Sequence, residues 1–141
     1  MPAPNRFLLG AVGGALLIAL LAEMSSLANV TSFENPGAPL WARAHLFWGL
    51  LSLVAPGILV GVVCRNRRIV CGLVAGCLGA LILVLALVWL RDPYFFFEPP
   101  PSAGALLSEW FWFSLTFAVS TTIVSWLTSK VRLSNQRLER P

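Results

Sequence analysis

Four apolar stretches follow one another along this chain, and short polar segments separate them. They cover residues 7–28, 44–63, 69–90 and 106–127. Each is about 20 residues long, the length an α-helix needs to cross the ~30 Å hydrocarbon layer of a bilayer. None keeps the polar face that a surface helix of a soluble protein shows to water. The pattern therefore predicts an all-α integral membrane protein, folded as a four-helix bundle.

The polar segments are too short to hold a second domain, so residues 1–141 are predicted to form one domain, with a basic tail over 128–141. The tight segment 64–68 predicts that the second and third helices are antiparallel neighbours. Segment 29–43 contains two prolines and is predicted to be a loop. Segment 91–105 contains three consecutive prolines, which exclude a helix there. Before them stands an aromatic run that favours the membrane interface, namely Tyr94, Phe95, Phe96 and Phe97.

Composition and charge add an orientation to this picture. The chain is 57% hydrophobic and 11% charged, whereas a soluble domain carries about 25% charged residues. Arg43 and Arg91 are the only basic residues in the polar segments 29–43 and 91–105. The other eight basic residues lie at the opposite ends of the stretches: Arg6, Arg65, Arg67, Arg68, Lys130, Arg132, Arg137 and Arg140. Because cytoplasmic segments are enriched in Lys and Arg, both termini are predicted to be cytoplasmic. The predicted location is a bacterial inner membrane.

The net charge of +4 therefore follows the membrane topology and predicts no nucleic-acid partner. The first stretch has a second interpretation as a signal peptide, because Arg6 precedes it and Ser26–Ala28 forms a small-x-small cleavage pattern. Its length and its closely spaced glycines favour a retained helix. Cleavage would leave three spans.

Glycine spacing is the most specific motif. Three GxxxG pairs occur at similar depth in the first three stretches: Gly10 and Gly14, Gly57 and Gly61, Gly72 and Gly76. Small residues one turn apart let helices approach closely in lipid. The pairs predict that these three helices pack tightly against one another, the alternative being that one pair mediates homodimerisation. The fourth stretch instead carries Ser and Thr hydroxyls, bonded either to their own helix or to a partner subunit.

Glu23 is the most unusual single residue, since a carboxylate within a transmembrane helix is costly and is a candidate functional group. It lies about one turn from the end of the first stretch. Three interpretations stay open: pairing with Arg43, His45 or Arg91, binding of a proton or cation, or exposure at the interface. His45, the single histidine, is either a hydrogen-bonding interfacial residue or an axial ligand to haem or chlorophyll.

The sequence predicts no resident cofactor, metal site or enzymatic activity, because no catalytic or metal-binding constellation is present. Cys64, Cys71 and Cys77 lie on the predicted cytoplasmic side, where small apolar filler is the expected role and Cys64 is a possible acylation site in a eukaryote. Beyond membrane lipids, a protein partner within the membrane or a second copy of the chain is expected.

Two functions follow from these features. The first is a structural or accessory subunit of a larger membrane complex, contacting it through the aromatic half and the fourth helix. The second is a small proton-coupled transporter or channel. Four spans and Leu21-Ala22-Glu23 resemble the small multidrug-resistance transporters, and the resemblance implies a homo-oligomer with Glu23 as the ion-binding carboxylate. The aromatic loop and the basic tail depart from that family. A cofactor subunit that uses His45 is a third option.

Overall fold

The chain forms four long helices and one short one in the computed structural model, which describes residues 3–34, 37, 39–64, 67–91 and 102–138. The helices are α1 (Ala3–Glu34), α2 (Leu40–Arg43), α3 (His45–Val63), α4 (Arg68–Arg91) and α5 (Ala103–Leu138). Each long helix contains a segment long and apolar enough to cross a membrane, namely Asn5–Asn29, His45–Val63, Arg68–Ala86 and Ala103–Val131. The predicted all-α four-helix membrane bundle is confirmed.

Two helices continue further than the hydrophobic pattern predicts. α1 runs through residues 29–34, which were expected to belong to a loop, and α5 runs through the basic tail to Leu138. In both cases the local residues permit a helix although they are polar. Thr31, for example, donates its hydroxyl to the Leu27 carbonyl one turn earlier, at 2.8 Å. Hydropathy marks where a helix leaves the bilayer, whereas the helix itself continues as long as its residues permit.

The four long helices surround a common axis in the order α1, α3, α5, α4. α1 and α5 each pack along both α3 and α4, whereas α3 and α4 share few contacts. The short connection from 64 to 67 therefore joins helices on a diagonal of the bundle, not the side-by-side neighbours that its length predicted. The physical reason lies in the small residues of α3 and α4, which face α5.

α5 fits against the glycines of its two neighbours. A Cβ atom at Gly57 of α3 would lie 2.5 Å from the Cβ of Val124, and one at Gly72 of α4 would lie 2.9 Å from the hydroxyl of Thr122. At Gly76, a Cβ would overlap the backbone of Ala118. These two GxxxG pairs thus bring α3 and α4 against α5, which departs from the expectation that the first three helices pack on one another.

The first glycine pair does lie among the first three helices. A Cβ at Gly14 of α1 would come within 3.0 Å of Ala75 on α4 and 3.1 Å of Val60 on α3. Gly61 completes the α3 pair, and its Cβ would lie 2.8 Å from the carbonyl oxygen of Ser125 on α5. All three glycine pairs therefore contact other helices of the same chain.

The bundle has two ends of different character. We call the end with Arg6, Arg67 and Lys130 the basic end, and the end with residues 29–45 and 103–110 the far end. A buried cluster near the basic end consists of Ala11, Val60, Cys64, Cys71 and Ala75. A second cluster lies toward the far end and consists of Ile18, Ala80, Leu83 and Phe117.

Candidate functional site

A cavity of about 680 Å³ opens in the far end of the bundle, above the second cluster. All four long helices contribute to its wall. The polar part of the wall comes from α1 and α3 and contains Glu23, Ser25, Ser26, Asn29, His45 and Ser52. The apolar part contains Ala22, Leu46, Gly49, Leu50, Leu53, Leu83, Phe113 and Phe117.

Helical spacing brings the polar residues to one wall. Ala22, Ser25, Ser26 and Asn29 recur at intervals of three and four residues, so they share one face of α1 beside Glu23. The hydroxyl of Ser25 donates to the carbonyl of His45 at 3.0 Å and ties this face to the first turn of α3. This hydrogen bond therefore joins α1 and α3 at the wall of the cavity.

A glycine allows α3 to approach α1 at this point. A Cβ at Gly49 would lie 3.3 Å from the hydroxyl oxygen of Ser25, tighter than most side-chain contacts. One turn further along α3, Ser52 is buried and donates its hydroxyl to the Gly49 carbonyl at 2.7 Å. The hydroxyl protons of Ser25 and Ser52 are therefore used within the bundle, and their oxygens can act toward the cavity only as acceptors.

Glu23 supplies a free group. Its side chain is half-buried, and among the described residues its Oε1 atom is buried without a hydrogen-bond partner. Burying a polar atom without a partner costs about 1–3 kcal/mol, and more for a charged group. The pairing expected with Arg43 or His45 does not satisfy this oxygen, and the side chain of Arg91 lies outside the described part of the chain. The binding of a proton or a cation by Glu23 stays a prediction.

His45 supplies a second such group in the same cavity. Its Nδ1 atom is buried and, within the described residues, has no hydrogen-bond partner. Nδ1 of a neutral imidazole accepts or donates one hydrogen bond according to its tautomer. Glu23 and His45 are therefore two titratable side chains that line one cavity from adjacent helices, although they stand 22 positions apart in sequence.

The other sequence-predicted site residues lie elsewhere. Arg43 ends α2 and is exposed. Tyr94, Phe95, Phe96 and Phe97 lie outside the described residues. The six paired glycines lie in helix contacts and not in the cavity. The haem or pigment role of His45 stays a prediction; among the described residues no three His, Cys, Asp or Glu side chains come together as a metal site.

Trp110 of α5 carries a further unpaired polar atom among the described residues, and the sequence pattern did not single it out. Trp110 packs against the second cluster, and its Nε1 atom is buried without a partner in the described structure. One turn later Ser114 is buried with an unpaired hydroxyl, and Thr121 follows two turns after it. The i, i+4, i+11 spacing of these residues places them on the face of α5 that carries Phe117, and this was the signal available in sequence.

Comparison of the chain with protein-family models, with curated proteins and with solved structures found no match. The interpretation of the cavity therefore depends on its own geometry and chemistry.

Proposed function

We propose that this protein is a small proton-coupled membrane transporter that binds an organic cation in the far-end cavity. The observation that carries the proposal is the buried, unpartnered Oε1 atom of Glu23 in the wall of that cavity. An intramembrane carboxylate that faces a cavity is a functional candidate because its charge is costly unless a proton or a counter-ion neutralises it. One carboxylate binds either a proton or a cation at a time, so cation binding releases a proton.

The remaining wall supports an organic substrate in preference to a bare metal ion. A volume of about 680 Å³ lies in the range of roughly 300–1,000 Å³ typical of small-molecule pockets. Phe113 and Phe117 lie on the apolar side, where aromatic faces contact apolar groups and attract cations. Ser26, Asn29 and Leu46 are exposed, so the cavity opens at the bundle surface and gives a ligand a route in.

His45 has a supporting role in this proposal. His45 lines the cavity, and its buried Nδ1 atom has no hydrogen-bond partner among the described residues. We assign His45 to proton exchange with Glu23 or with water that enters from the far end. A structural role for His45 would instead leave proton release unchanged when the ring is replaced by glutamine.

Glu23→Gln tests the proposal. Purified full-length protein in detergent is titrated with tetraphenylphosphonium, and binding is followed by calorimetry while proton release is measured in weakly buffered solution. Loss of a charged partner removes about 1.5–3 kcal/mol, so the affinity is expected to fall roughly 10- to 100-fold and proton release to disappear.

Glu109→Gln is the matched control because Glu109 is an exposed carboxylate in the second turn of α5, away from the cavity wall. It is expected to bind the probe as the unaltered protein does. Equal affinity of the Glu23→Gln variant and the unaltered protein, or an equal loss in both variants, contradicts the proposal. Proton-driven uptake into vesicles then distinguishes a transporter from a binding protein.

An accessory subunit is the second candidate, favoured by exposed aromatic rings at the far end. Phe111 and Trp112 of α5 are 57% and 61% exposed and form an edge-to-face pair with ring centroids 5.7 Å apart. Paired aromatics suit a protein interface as well as a lipid interface. If they bind a partner, replacing both with alanine abolishes its co-purification from mild detergent, whereas replacing the exposed Leu115 and Val119 does not.

We also propose that the basic end faces the cytoplasm of a bacterial inner membrane, with both termini inside. The charge asymmetry supports this, and the Nζ atom of Lys130 lies 3.9 Å from the centre of the Trp126 ring, an arrangement that suits the interface. A green fluorescent protein fused after Leu138 is expected to fluoresce, and alkaline phosphatase at the same position to be inactive. A fusion after Ala44 is expected to give the reverse result, and an active phosphatase after Leu138 would refute the orientation.

A further inference from the structure

Two cysteines meet at the basic end, remote from the far-end cavity. Cys64 caps the C-terminus of α3 and Cys71 lies in the first turn of α4, and both side chains are buried. A Cβ atom at Gly10 of α1 would overlap the Cys64 sulfur and come within 3.0 Å of the Cys71 sulfur. The two sulfurs therefore converge on a spot that a glycine leaves without a side chain.

We propose that Cys64 and Cys71 form a two-sulfur binding site for a soft monovalent cation of the Cu(I) and Ag(I) class. On binding, each thiol loses its proton and each sulfur forms one bond to the metal, so one cation replaces two protons and the site changes its charge by −1. No electron is transferred. The inference is independent of the proposed transport function and of Glu23.

The ligand set selects the class of metal. Thiolate sulfur is a soft ligand that favours Cu(I), whereas structural zinc takes four N or S ligands. Among the described residues no third His, Cys, Asp or Glu joins the pair. The carbonyl oxygens of Arg6 and Phe7, which accept from the two thiols, are hard ligands. A soft cation that accepts two ligands fits this set.

The hydrogen bonds that the two thiols give up on deprotonation are weak. The Cys64 thiol donates to the Arg6 carbonyl and the Cys71 thiol to the Phe7 carbonyl, each with a sulfur–oxygen distance of 3.6 Å. Thiols are weak hydrogen-bond donors, and a carbonyl at the start of a helix still accepts its bond from within the helix. The carbonyl oxygens are therefore not left unsatisfied when the metal replaces the two protons.

Both sulfurs are buried, which disfavours a free thiolate, so the two protons leave only as the metal binds. The start of α4 offsets part of the cost of the negative charge that remains on the metal site. Cys71 is the fourth residue of α4, and the partial positive charge of a helix N-terminus stabilises a thiolate. Arg6 and Arg67 lie at the same end of the bundle, with exposed side chains. The backbone N–H of Cys71 donates to the Arg67 carbonyl at 2.8 Å and holds this first turn in place.

The experiment uses the full chain, purified in detergent under reducing, oxygen-free conditions, with Ag(I) as the probe. Native mass spectrometry is expected to show one Ag(I) per chain, and competition titration to show an affinity lowered more than ~100-fold in Cys64→Ser and in Cys71→Ser, since loss of even an outer partner costs 10- to 100-fold. Cys77 is exposed and provides the matched control, so Cys77→Ser is expected to bind as the unaltered protein does.

Two further measurements keep the proposal testable if a serine variant fails to fold. X-ray absorption of the silver-loaded, unaltered protein is expected to count two sulfur neighbours. Gly10→Ala retains both thiols but places a methyl group against them and is expected to weaken binding, whereas Gly13→Ala meets only the flexible Leu59 side chain at 3.3 Å and is not. Oxygen or nitrogen neighbours, dependence on Cys77, or binding no tighter than in the serine variants overturns the site.

Discussion

Replacing Gly76 with alanine is expected to destabilise the bundle by about 1–3 kcal/mol or more, as overpacking does, although alanine favours an isolated helix by about 1 kcal/mol. A Cβ atom at this position would overlap backbone atoms of Ala118 and lie 2.8 Å from the carbonyl carbon of Phe117. Backbone cannot rotate out of the way as a side chain does, so α4 and α5 must separate. Because Phe117 lines the far-end cavity, the same change is expected to weaken ligand binding.

Thermal unfolding in detergent, followed by tryptophan fluorescence, measures the effect. Gly104→Ala is the matched control, since Gly104 also lies in a helix but the nearest atom to its Cβ would be the Ser102 hydroxyl at 4.0 Å. A large drop in Tm is expected for Gly76→Ala and almost none for Gly104→Ala. Equal Tm values for the two variants would show that α4 and α5 do not pack as described.

Ile18→Ala is expected to have the second large effect, a loss of about 2–5 kcal/mol from the free energy of unfolding. Ile18 is fully buried in the second cluster. A Cβ atom added at Gly79 of α4 would lie 2.8 Å from the Cβ of Ile18. Truncation leaves a cavity between α1 and α4, because the glycine opposite has no side chain to fill the space. Ile18→Val retains most of the volume and should cost only about 0.5–1.5 kcal/mol.

Leu20→Ala is the control for this prediction. Leu20 lies two residues away on the same helix but is 62% exposed and faces lipid, so it contributes little to packing between helices. Denaturation by sodium dodecyl sulfate, followed by circular dichroism, measures the difference. If Ile18→Ala and Leu20→Ala destabilise equally, the face of α1 that packs on α4 is not the one described.

Glu23 and the two buried cysteines show which features of the sites can be predicted from the sequence and which depend on helix packing. Glu23 was recognisable in sequence because a carboxylate in an apolar stretch is unusual whatever surrounds it. His45 was already a predicted partner of Glu23, but the cavity that the two residues share depends on how α1 and α3 pack. Likewise, Cys64 and Cys71 are predicted from sequence to be apolar filler, and their convergence on Gly10 depends on how α1 packs against the ends of α3 and α4.

The sequence by itself determined that this protein lies in a lipid bilayer and how many helices cross it. A stretch of about 20 apolar residues has to satisfy its backbone hydrogen bonds within itself in lipid, so each stretch becomes a helix regardless of its neighbours. Only the tertiary structure decided that Gly57 and Gly76 face α5, and that α3 and α4 lie across a diagonal. The physical reason is that lipid is as apolar as leucine: hydrophobicity does not mark the inner face of a membrane helix, and close packing of small residues selects the partner.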